Sequence, residues 1–463
     1  NGSLVTSFSE IANIFNNFFT DVGTNLAAQI PSTVRSPMDY VKSYMKEPAT
    51  QFSFKPVSAK DVKKLIMNIP NGKATGLDNI QARLLKMSSP AISSSLAYIF
   101  NLSLTTGKFP KDWKMARLSP IYKKGSKLEP GNYRPVSVLP VVSKFIERIA
   151  HNQLYNYLTE NNLLCKQQSG FRQKHSCQTS LHRLTEYFYD KLHEGKVIGM
   201  IALDLRKAFD TVNHDILLQK LSFYGIKGKN NQWFRSYLSD RIQVCSVFNN
   251  QSEPSRVTCG VPQGSILGPL LFILYVNDMP ACFTKSEVNI YADDTAFYYC
   301  DFNVCNVKAV LQAEFISVSG WLCANKLSLH IGKTNSMLIC NRQKLAHLDT
   351  TEIDISKDGE SIEQVNQVKY LGLNVDSHLK FDMYMDQLIG KLNRSLGVLR
   401  RASRYVNQKT RITLYNTLIL PHIDYCSTVW GGSIKKGDLM RLQRVQNSAM
   451  RIILECHPRT HIV

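Results

Sequence analysis

The sequence predicts an α+β fold in which a core of strands and helices is followed by a helical region. Two segments indicate the strands: residues 197–205 form an apolar run that ends at Asp204, and residues 288–299 place strand-forming residues on both sides of Asp293 and Asp294. After about residue 377 the apolar residues follow helical spacing. Strands followed by helices in one chain are typical of an α+β protein with a helical appendage.

Local signatures predict the individual elements in order along the chain. Residues 8–22 have apolar residues at helical spacing, with Ser7 and Glu10 as a capping box, and predict a packing helix. Residues 31–56 contain several Pro and Ser and predict a linker. Residues 143–163 predict an amphipathic helix, and a further helix is expected to end at Gly225. Residues 288–299 predict a hairpin with both acids at its turn.

The net charge of the chain indicates which kind of partner it binds. The 463 residues include 56 Lys and Arg against 36 Asp and Glu, which gives a formal charge of +20. Such an excess favours a polyanionic partner, because cations spaced along a phosphate backbone release its counterions. Residues 108–127 are basic and interleave Phe109, Trp113 and Tyr122, so they predict either a surface for single-stranded nucleic acid or a solvated basic face.

Cysteine spacing and hydropathy predict no zinc, redox or membrane function. None of the 11 cysteines forms a C-x-x-C pair, which fits free thiols in a reducing compartment. The longest apolar stretch, residues 266–276, is too short to cross a bilayer, so we expect no membrane partner. The first residue is Asn1 rather than Met, which suggests a fragment of a longer protein.

Three carboxylates have a pattern that suits metal binding. Asp204 ends one predicted strand, and Asp293 and Asp294 lie at the turn of another. If these strands are antiparallel neighbours, the carboxylates meet at one edge, where they repel unless cations lie between them. Hard oxygen ligands suit Mg²⁺, and two such ions about 3.5–4 Å apart stabilise phosphoryl transfer. Tyr291-Ala292-Asp293-Asp294 alone is a weak motif, because a polar hairpin turn explains it better when no other segment is considered.

Longer segments carry a family resemblance. In order along the chain, they resemble the reverse transcriptases of non-LTR (LINE-type, jockey-like) retrotransposons. The segments are NGKATGLDNI (71–80), YRPVSVLPVVSKFIERI (133–149), QSGFRQKHSC (168–177), IALDLRKAFDTV (201–212), GVPQGSILGPLLFILYVND (260–278), YADD (291–294), NKLSLHIGKTNSM (325–337), VKYLGLNVD (368–376), LILPHIDYCSTVWGG (418–432) and LQRVQNSAMRII (442–453).

The resemblance implies a right-hand polymerase fold with an antiparallel palm sheet and a helical thumb. Residues 1–51 would form an N-terminal helical extension and linker, and residues 52–195 the fingers with part of the palm. Residues 196–376 would form the palm with the catalytic motifs, and residues 377–463 the helical thumb and tail.

The resemblance also implies roles for single residues. Asp204 and Asp293 would bind two Mg²⁺ ions, or Mn²⁺ as a substitute, with the backbone carbonyl of Leu205, and Asp294 would assist. Phe209 would act as a steric gate against ribose. The remaining assignments are nascent base-pair contact by Gln263 and Gly264, triphosphate binding by Lys123 and Arg134, proton donation to pyrophosphate by Lys333, and primer or template contact by Tyr291, Tyr370, Leu371 and Gly372.

Several of these residues also fit a purely structural role. Phe209 also fits a core aromatic, although its motif favours the gate, and Tyr370 fits a packing role as well as it fits primer contact. Lys123, Arg134 and Lys333 also fit ordinary surface cations. A further basic stripe follows from spacing alone, because seven cations and no acid lie between residues 391 and 411. A helical stripe of this kind predicts contact with the template–primer backbone. Its members are Lys391, Arg394, Arg400, Arg401, Arg404, Lys409 and Arg411.

The expected function is RNA-directed DNA polymerisation. The implied partners are an RNA template, a DNA primer or target, deoxynucleoside triphosphates, and an endonuclease supplied by a missing part of the parent polypeptide. The family's lifestyle implies a ribonucleoprotein in nucleus and cytoplasm. Three alternatives stay open: an RNA-templated RNA polymerase, which Phe209 disfavours; a group II intron maturase-like enzyme, which the tail around Trp430 and Gln446 disfavours; and a catalytically silent nucleic-acid-binding remnant or domesticated element, which the intact acids disfavour.

Overall fold

The computed structural model describes residues 5–31, 33–348, 350–457 and 459–461. Its helices are α1 (Phe8–Ala28), α2 (Pro37–Tyr44), α3 (Ala59–Asn68), α4 (Ala82–Thr106), α5 (Val141–Glu160), α6 (Cys177–His193), α7 (His214–Phe223), α8 (Gly228–Leu238), α9 (Gly268–Tyr275), α10 (Val304–Ala324), α11 (Arg342–Leu345), α12 (Asp382–Ala402), α13 (Gln408–Leu418), α14 (Leu420–Asp424), α15 (Ser427–Trp430) and α16 (Lys436–Leu454). Its strands are β1 (Met115–Tyr122), β2 (Tyr133–Val138), β3 (Val197–Leu203), β4 (Arg241–Val247), β5 (Asn250–Gln251), β6 (Ser255–Val257), β7 (Glu287–Tyr291), β8 (Asp294–Asp301), β9 (Asn335–Ile339), β10 (Ser356–Lys357), β11 (Glu360–Ser361), β12 (Glu363–Gln364), β13 (Gln367–Tyr370) and β14 (Leu373–Asp376).

The chain forms two compact units. The first unit contains the chain up to Phe171, residues 205–284 and residues 316–330, and the second contains residues 172–204, 285–315 and the chain from Ile331 onward. Both units combine helices with a sheet, which confirms the α+β class. The predicted extension, fingers, palm and thumb are continuous segments of the chain, whereas these two units are each built from several segments. The predicted division therefore stays a prediction.

The sheet of the first unit has the order β2-β1-β4-β5, with β6 also paired to β4. β1 and β4 are parallel, and the other pairs are antiparallel. Helix α1 packs on this sheet, because Phe15 and Phe19 on one helical face form a buried cluster with Leu118 and Cys245. The packing helix is thus confirmed and is longer than predicted. The capping box is wrong, since the Ser7 side chain makes no capping hydrogen bond.

Two other predictions in the first unit need correction. The linker over residues 31–56 contains α2, whose start combines Pro37 at the first helical position with a capping box of Ser36 and Asp39. The aromatic residues of the basic stretch 108–127 are mainly structural: Phe109 is buried, with its ring 5.5 Å from that of Trp233 and 6.2 Å from that of Trp113. Only Tyr122 of the three is exposed.

The sheet of the second unit has the order β12-β9-β3-β8-β7. Its central pairs are antiparallel and its edge pair β12 and β9 is parallel, so the sheet is mixed rather than purely antiparallel. Strand β3 is buried along nearly its whole length, as expected for an apolar run at the centre of a sheet. One buried core joins this sheet to α6 and to the C-terminal helices, through residues such as Met200, Tyr298, Leu392 and Val445. The predicted helical region after residue 377 is confirmed.

Helix α10 is long and apolar enough to cross a membrane by length and composition, with a mean hydropathy of 1.2 in its most apolar window. Half of this apolar stretch is buried inside the protein, and helices in a protein core have a similar length and composition. The helix is therefore weak evidence for a membrane span.

Candidate active site

The three predicted metal ligands lie at one edge of the second unit's sheet. β7 and β8 form a hairpin whose turn is Ala292-Asp293, with Ala292 at φ 58°, and Asp294 is the first residue of β8. β3 is antiparallel to β8, with Leu203 opposite Thr295, and Asp204 follows Leu203 directly. Antiparallel pairing therefore brings the end of β3 beside the start of β8, as predicted from the two separate motifs.

Hydrogen bonding and exposure differ among these acids. Asp204 and Asp293 are half-buried, and Asp294 is exposed. The backbone N–H of Asp204 donates to Oγ1 of the buried Thr334 at 3.2 Å, which anchors the end of β3 to the segment before β9. Their carboxylate oxygens are the hard ligands that Mg²⁺ prefers, so the donor chemistry fits. Within the described part of the chain, however, no three His, Cys, Asp or Glu side chains converge closely enough to enclose a metal ion.

Lys333 lies at the same edge of this sheet. It ends the short 3₁₀ turn Ile331–Lys333, directly before Thr334, and its side chain is exposed. β9 then runs antiparallel to β3, with Asn335 opposite Ala202. The register therefore brings Lys333 to the end of β3 that carries Asp204.

Tyr370 has a structural role in the second unit. It is buried, and its hydroxyl donates to the backbone oxygen of Asn289 on β7 at 3.0 Å. Burial, and next the negative charge of Asp294, raise the pKa of Tyr370 well above its usual value, so the hydroxyl is a neutral donor. The packing interpretation of Tyr370 is therefore supported, while its contact with a primer stays a prediction. Half-buried Tyr291 ends β7 opposite Asp294.

The turn after Tyr370 is a tight hairpin turn between β13 and β14. Leu371 and Gly372 have φ values of 47° and 81°, which is the left-handed pair that a two-residue hairpin turn requires. A Cβ at Gly372 would lie 3.3 Å from the hydroxyl of Tyr425, and that hydroxyl donates to the Leu371 carbonyl. The turn is thus held rigidly against the region that follows α14.

The basic stripe of the C-terminal helices is only partly available to a ligand. Arg400, Arg401 and Arg404, here called the arginine patch, are exposed at and just beyond the end of α12. Arg411 is buried instead, and its guanidinium donates to the Ser403 carbonyl at 2.8 Å and to Glu455. Arg411 therefore stabilises the loop after α12, and the prediction that it contacts the template–primer backbone is wrong.

The predicted nucleotide-binding residues lie in the first unit. Phe209 is half-buried, and its ring stacks on that of Phe272, with centroids 4.2 Å apart and an interplanar angle of 19°. The ring of Phe171 meets it edge-on at 6.1 Å. Leu205, the next residue after Asp204, pairs with Leu329 in an isolated bridge. Phe209 is therefore held in one orientation by aromatic packing, which suits both a steric gate and a core residue.

Gln263 and Gly264 form a tight turn against β2. The backbone N–H of Ser137 donates to the Gln263 carbonyl at 2.7 Å, and Gly264 has a φ of 114°. A Cβ at Gly264 would lie 2.5 Å from the Ser137 carbonyl oxygen, so only glycine fits. Arg134 is exposed on β2, and Lys123 follows β1, where its N–H donates to the Asn132 carbonyl at 2.9 Å. The Gln263–Gly264 turn therefore packs on β2, the strand that also carries Arg134, and Lys123 lies at the end of the neighbouring strand β1.

The structure adds one residue to which sequence reasoning gave no role of its own. Oδ1 of Asp210 accepts a hydrogen bond from Nε2 of Gln263 at 2.7 Å. Burial raises the pKa of Asp210 to about 6, although the hydrogen bond from Gln263 and the charge of Lys207 act in the opposite direction. The sequence shows Asp210 only as a second acid after Asp204, because its partner lies in a distant motif.

Comparisons with known proteins agree with the sequence motifs. A family model described as reverse transcriptase (RNA-dependent DNA polymerase) matches residues 121–375. A relative from Drosophila melanogaster, "Probable RNA-directed DNA polymerase from transposon BS", is 31% identical over 98% of this chain and 50% of its own length. The "RNA-directed DNA polymerase from mobile element jockey" of the same species is 27% identical over 89% of this chain and 46% of its own length. The chain thus spans about half the length of the curated relatives it matches.

Proposed function

This chain belongs to the reverse transcriptases of non-LTR retrotransposons, and from that premise we propose that it extends a DNA 3′ end by copying an RNA template with deoxynucleoside triphosphates. The observation that carries the proposal is the acidic edge of the second unit, where β3 and β8 bring Asp204 beside Asp294 and the Asp293 turn. Both strands lie inside the segment that the family model matches.

The carboxylates would hold two Mg²⁺ ions, or Mn²⁺ in their place. The ligands would be Asp204, Asp293 and the backbone carbonyl of Leu205, with Asp294 assisting. Metal ions at such a site stabilise the charges on the attacking and leaving oxygens of a nucleotidyl transfer. The chain's own contribution is to place the acids: Thr334 anchors the end of β3, and the two-residue turn fixes Asp293. Lys333, exposed at the same edge, would supply a proton to the departing pyrophosphate.

Further substrate contacts are proposed within each unit. In the first, Lys123 and Arg134 would bind the triphosphate through charge-assisted hydrogen bonds. There Phe209 would exclude the ribose hydroxyl, and Gln263 with Gly264 would contact the nascent base pair. In the second unit, the arginine patch would bind the template–primer backbone, and the turn after Tyr370 would support the primer end.

The natural setting that we propose is a ribonucleoprotein in nucleus and cytoplasm. There the polymerase would act with an endonuclease supplied by another part of its parent polypeptide. The relatives are roughly twice as long as this chain, which leaves room for such a part.

Primer extension tests the proposal directly. A DNA primer annealed to an RNA template is incubated with the protein, Mg²⁺ and deoxynucleotides, and extended products are resolved by length. Asp293→Asn keeps the shape of the turn but removes a charge that the metals require, so extension should fall by about a hundredfold or more while template binding survives.

Asp358→Asn is the matched control, because Asp358 also lies at a two-residue hairpin turn of the second unit and is exposed. We expect this variant to extend normally. Comparable extension by Asp293→Asn would contradict the metal assignment. Template binding without extension by the unchanged protein would instead favour a nucleic-acid-binding remnant.

A further inference from the structure

The hydrogen bond between Asp210 and Gln263 determines which atom of the glutamine faces away. An ionised carboxylate only accepts hydrogen bonds, whereas an amide has an NH₂ group that donates and an oxygen that accepts. Nε2 of Gln263 must therefore be the atom that faces Oδ1 of Asp210, at 2.7 Å. The amide oxygen Oε1 points away from Asp210 in consequence. The carboxylate thus selects the orientation of the amide by chemistry as well as by position.

Backbone hydrogen bonds hold both residues in place. The N–H of Val261 donates to the Phe209 carbonyl at 2.9 Å, and the N–H of Gly260 donates to the Val212 carbonyl at 2.8 Å. Gly260 has a φ of 82°, and a Cβ there would lie 2.8 Å from the Asp210 carbonyl oxygen. The close approach that brings Gln263 within reach of Asp210 therefore depends on a glycine.

Asp210 is costly to the fold where it stands. Its second carboxylate oxygen, Oδ2, is buried and accepts no hydrogen bond from any residue that the structure describes. Burying a charged group with incomplete hydrogen bonding destabilises a protein. A small cavity beside it is lined also by Phe19, Ser137, Arg241 and Gln263. The charge of Lys207 offsets part of this cost, and the hydrogen bond from Gln263 gives the carboxylate a role in orienting the amide.

We propose that Asp210 is a positioning residue, which holds the amide of Gln263 with its oxygen presented as a hydrogen-bond acceptor to the incoming nucleotide. The inference rests on the proposed function, in which Gln263 contacts the nascent base pair. Asp210 itself touches no substrate in this scheme and acts only through Gln263. Losing Asp210 should therefore weaken nucleotide binding and leave the chemical step largely intact.

A double-mutant cycle in single-nucleotide primer extension tests this inference. We expect Asp210→Ala and Gln263→Ala each to raise the KM for the correct deoxynucleotide by about tenfold, with kcat changed by about twofold or less. The double variant should be no worse than Gln263→Ala alone, because Asp210 has nothing left to orient. Asp210→Asn keeps the shape and a hydrogen bond but permits either amide orientation, so its KM should be intermediate.

Asp215→Ala is the control, because Asp215 is an exposed carboxylate of the same unit, paired with Arg235 on the surface. Its KM should match that of the unchanged protein. If the increases in KM of Asp210→Ala and Gln263→Ala multiplied in the double variant, the two residues would act separately, and the inference would be overturned. A lowered melting temperature of Asp210→Ala or Asp210→Asn with unchanged KM would also overturn it. A lack of extension by the unchanged protein would contradict the proposed function itself, and this inference with it.

Discussion

Shrinking the ring of Phe209 is the sharpest test of sugar selection. The ring is held by stacking on Phe272 at 4.2 Å and by the edge of Phe171 at 6.1 Å, so it presents a fixed planar surface. If that surface packs against the C2′ carbon of the incoming nucleotide, it leaves no volume for a hydroxyl. Phe209→Val removes the overlap and leaves the carboxylates of the second unit unchanged.

The structure sets the expected magnitudes. Each lost aromatic pair is worth about 0.5–1.5 kcal/mol, so the free energy of unfolding of Phe209→Val should decrease by roughly 1–3 kcal/mol. Loss of the steric overlap should raise ribonucleotide incorporation relative to deoxynucleotide by at least about tenfold, or about 1.4 kcal/mol of discrimination. The two effects are separable, because one is measured in unfolding and the other as a ratio of kcat/KM values.

The assay is single-nucleotide incorporation with each sugar on the same RNA template and DNA primer. Phe209→Tyr serves as the control, because it keeps the planar ring and should keep the preference for deoxynucleotides. If Phe209→Val lost stability but retained the same sugar preference as the unchanged protein, Phe209 would be a core residue only, and the gate would lie elsewhere.

Three further outcomes are expected. Replacing the arginine patch by Gln should lower the log–log salt dependence of template–primer binding by up to about one unit for each lost phosphate contact; an unchanged slope would make the patch a solvated face. Burial raises the pKa of Asp210 in the folded protein to about 6, against 3.8 for an ordinary Asp. Between these pH values the folded state binds more protons than the unfolded state, so the free energy of unfolding falls as pH rises. The free energy of unfolding of Asp210→Asn in urea, relative to that of the unchanged protein, should therefore increase from about pH 4 to pH 7. A difference that does not change with pH would contradict the raised pKa of Asp210. Lys220→Met should cost about 3–5 kcal/mol in the same assay, because it leaves the fully buried Asp278 without its cation, and a change below about 1 kcal/mol would mean that the pair is dispensable.

The family, the α+β class and most local elements can be predicted without coordinates. Colinear motifs identify the family without any knowledge of the fold. The hairpin around Asp293 was predictable because a two-residue turn between strand-forming runs is set by neighbours along the chain. Helix α1 followed from the spacing of its phenylalanines. Helix α2 was missed because the Pro and Ser that also mark linkers stand at its start, although Ser36, Pro37 and Asp39 form a recognisable helix start.

Contacts between residues far apart in the chain become visible only in the folded protein. Pairing of β3 with both β8 and β9 brings Asp204 to the edge shared with Asp294 and Lys333, and no local pattern specifies that register. Burial likewise separates Arg411 from the exposed arginine patch, and Phe109 from a binding surface, although the residue types look alike in sequence. The hydrogen bond from Gln263 to Asp210 joins two motifs that are far apart in the chain. Local propensity and residue spacing carry no information about such long-range contacts, so the sequence alone does not predict this hydrogen bond.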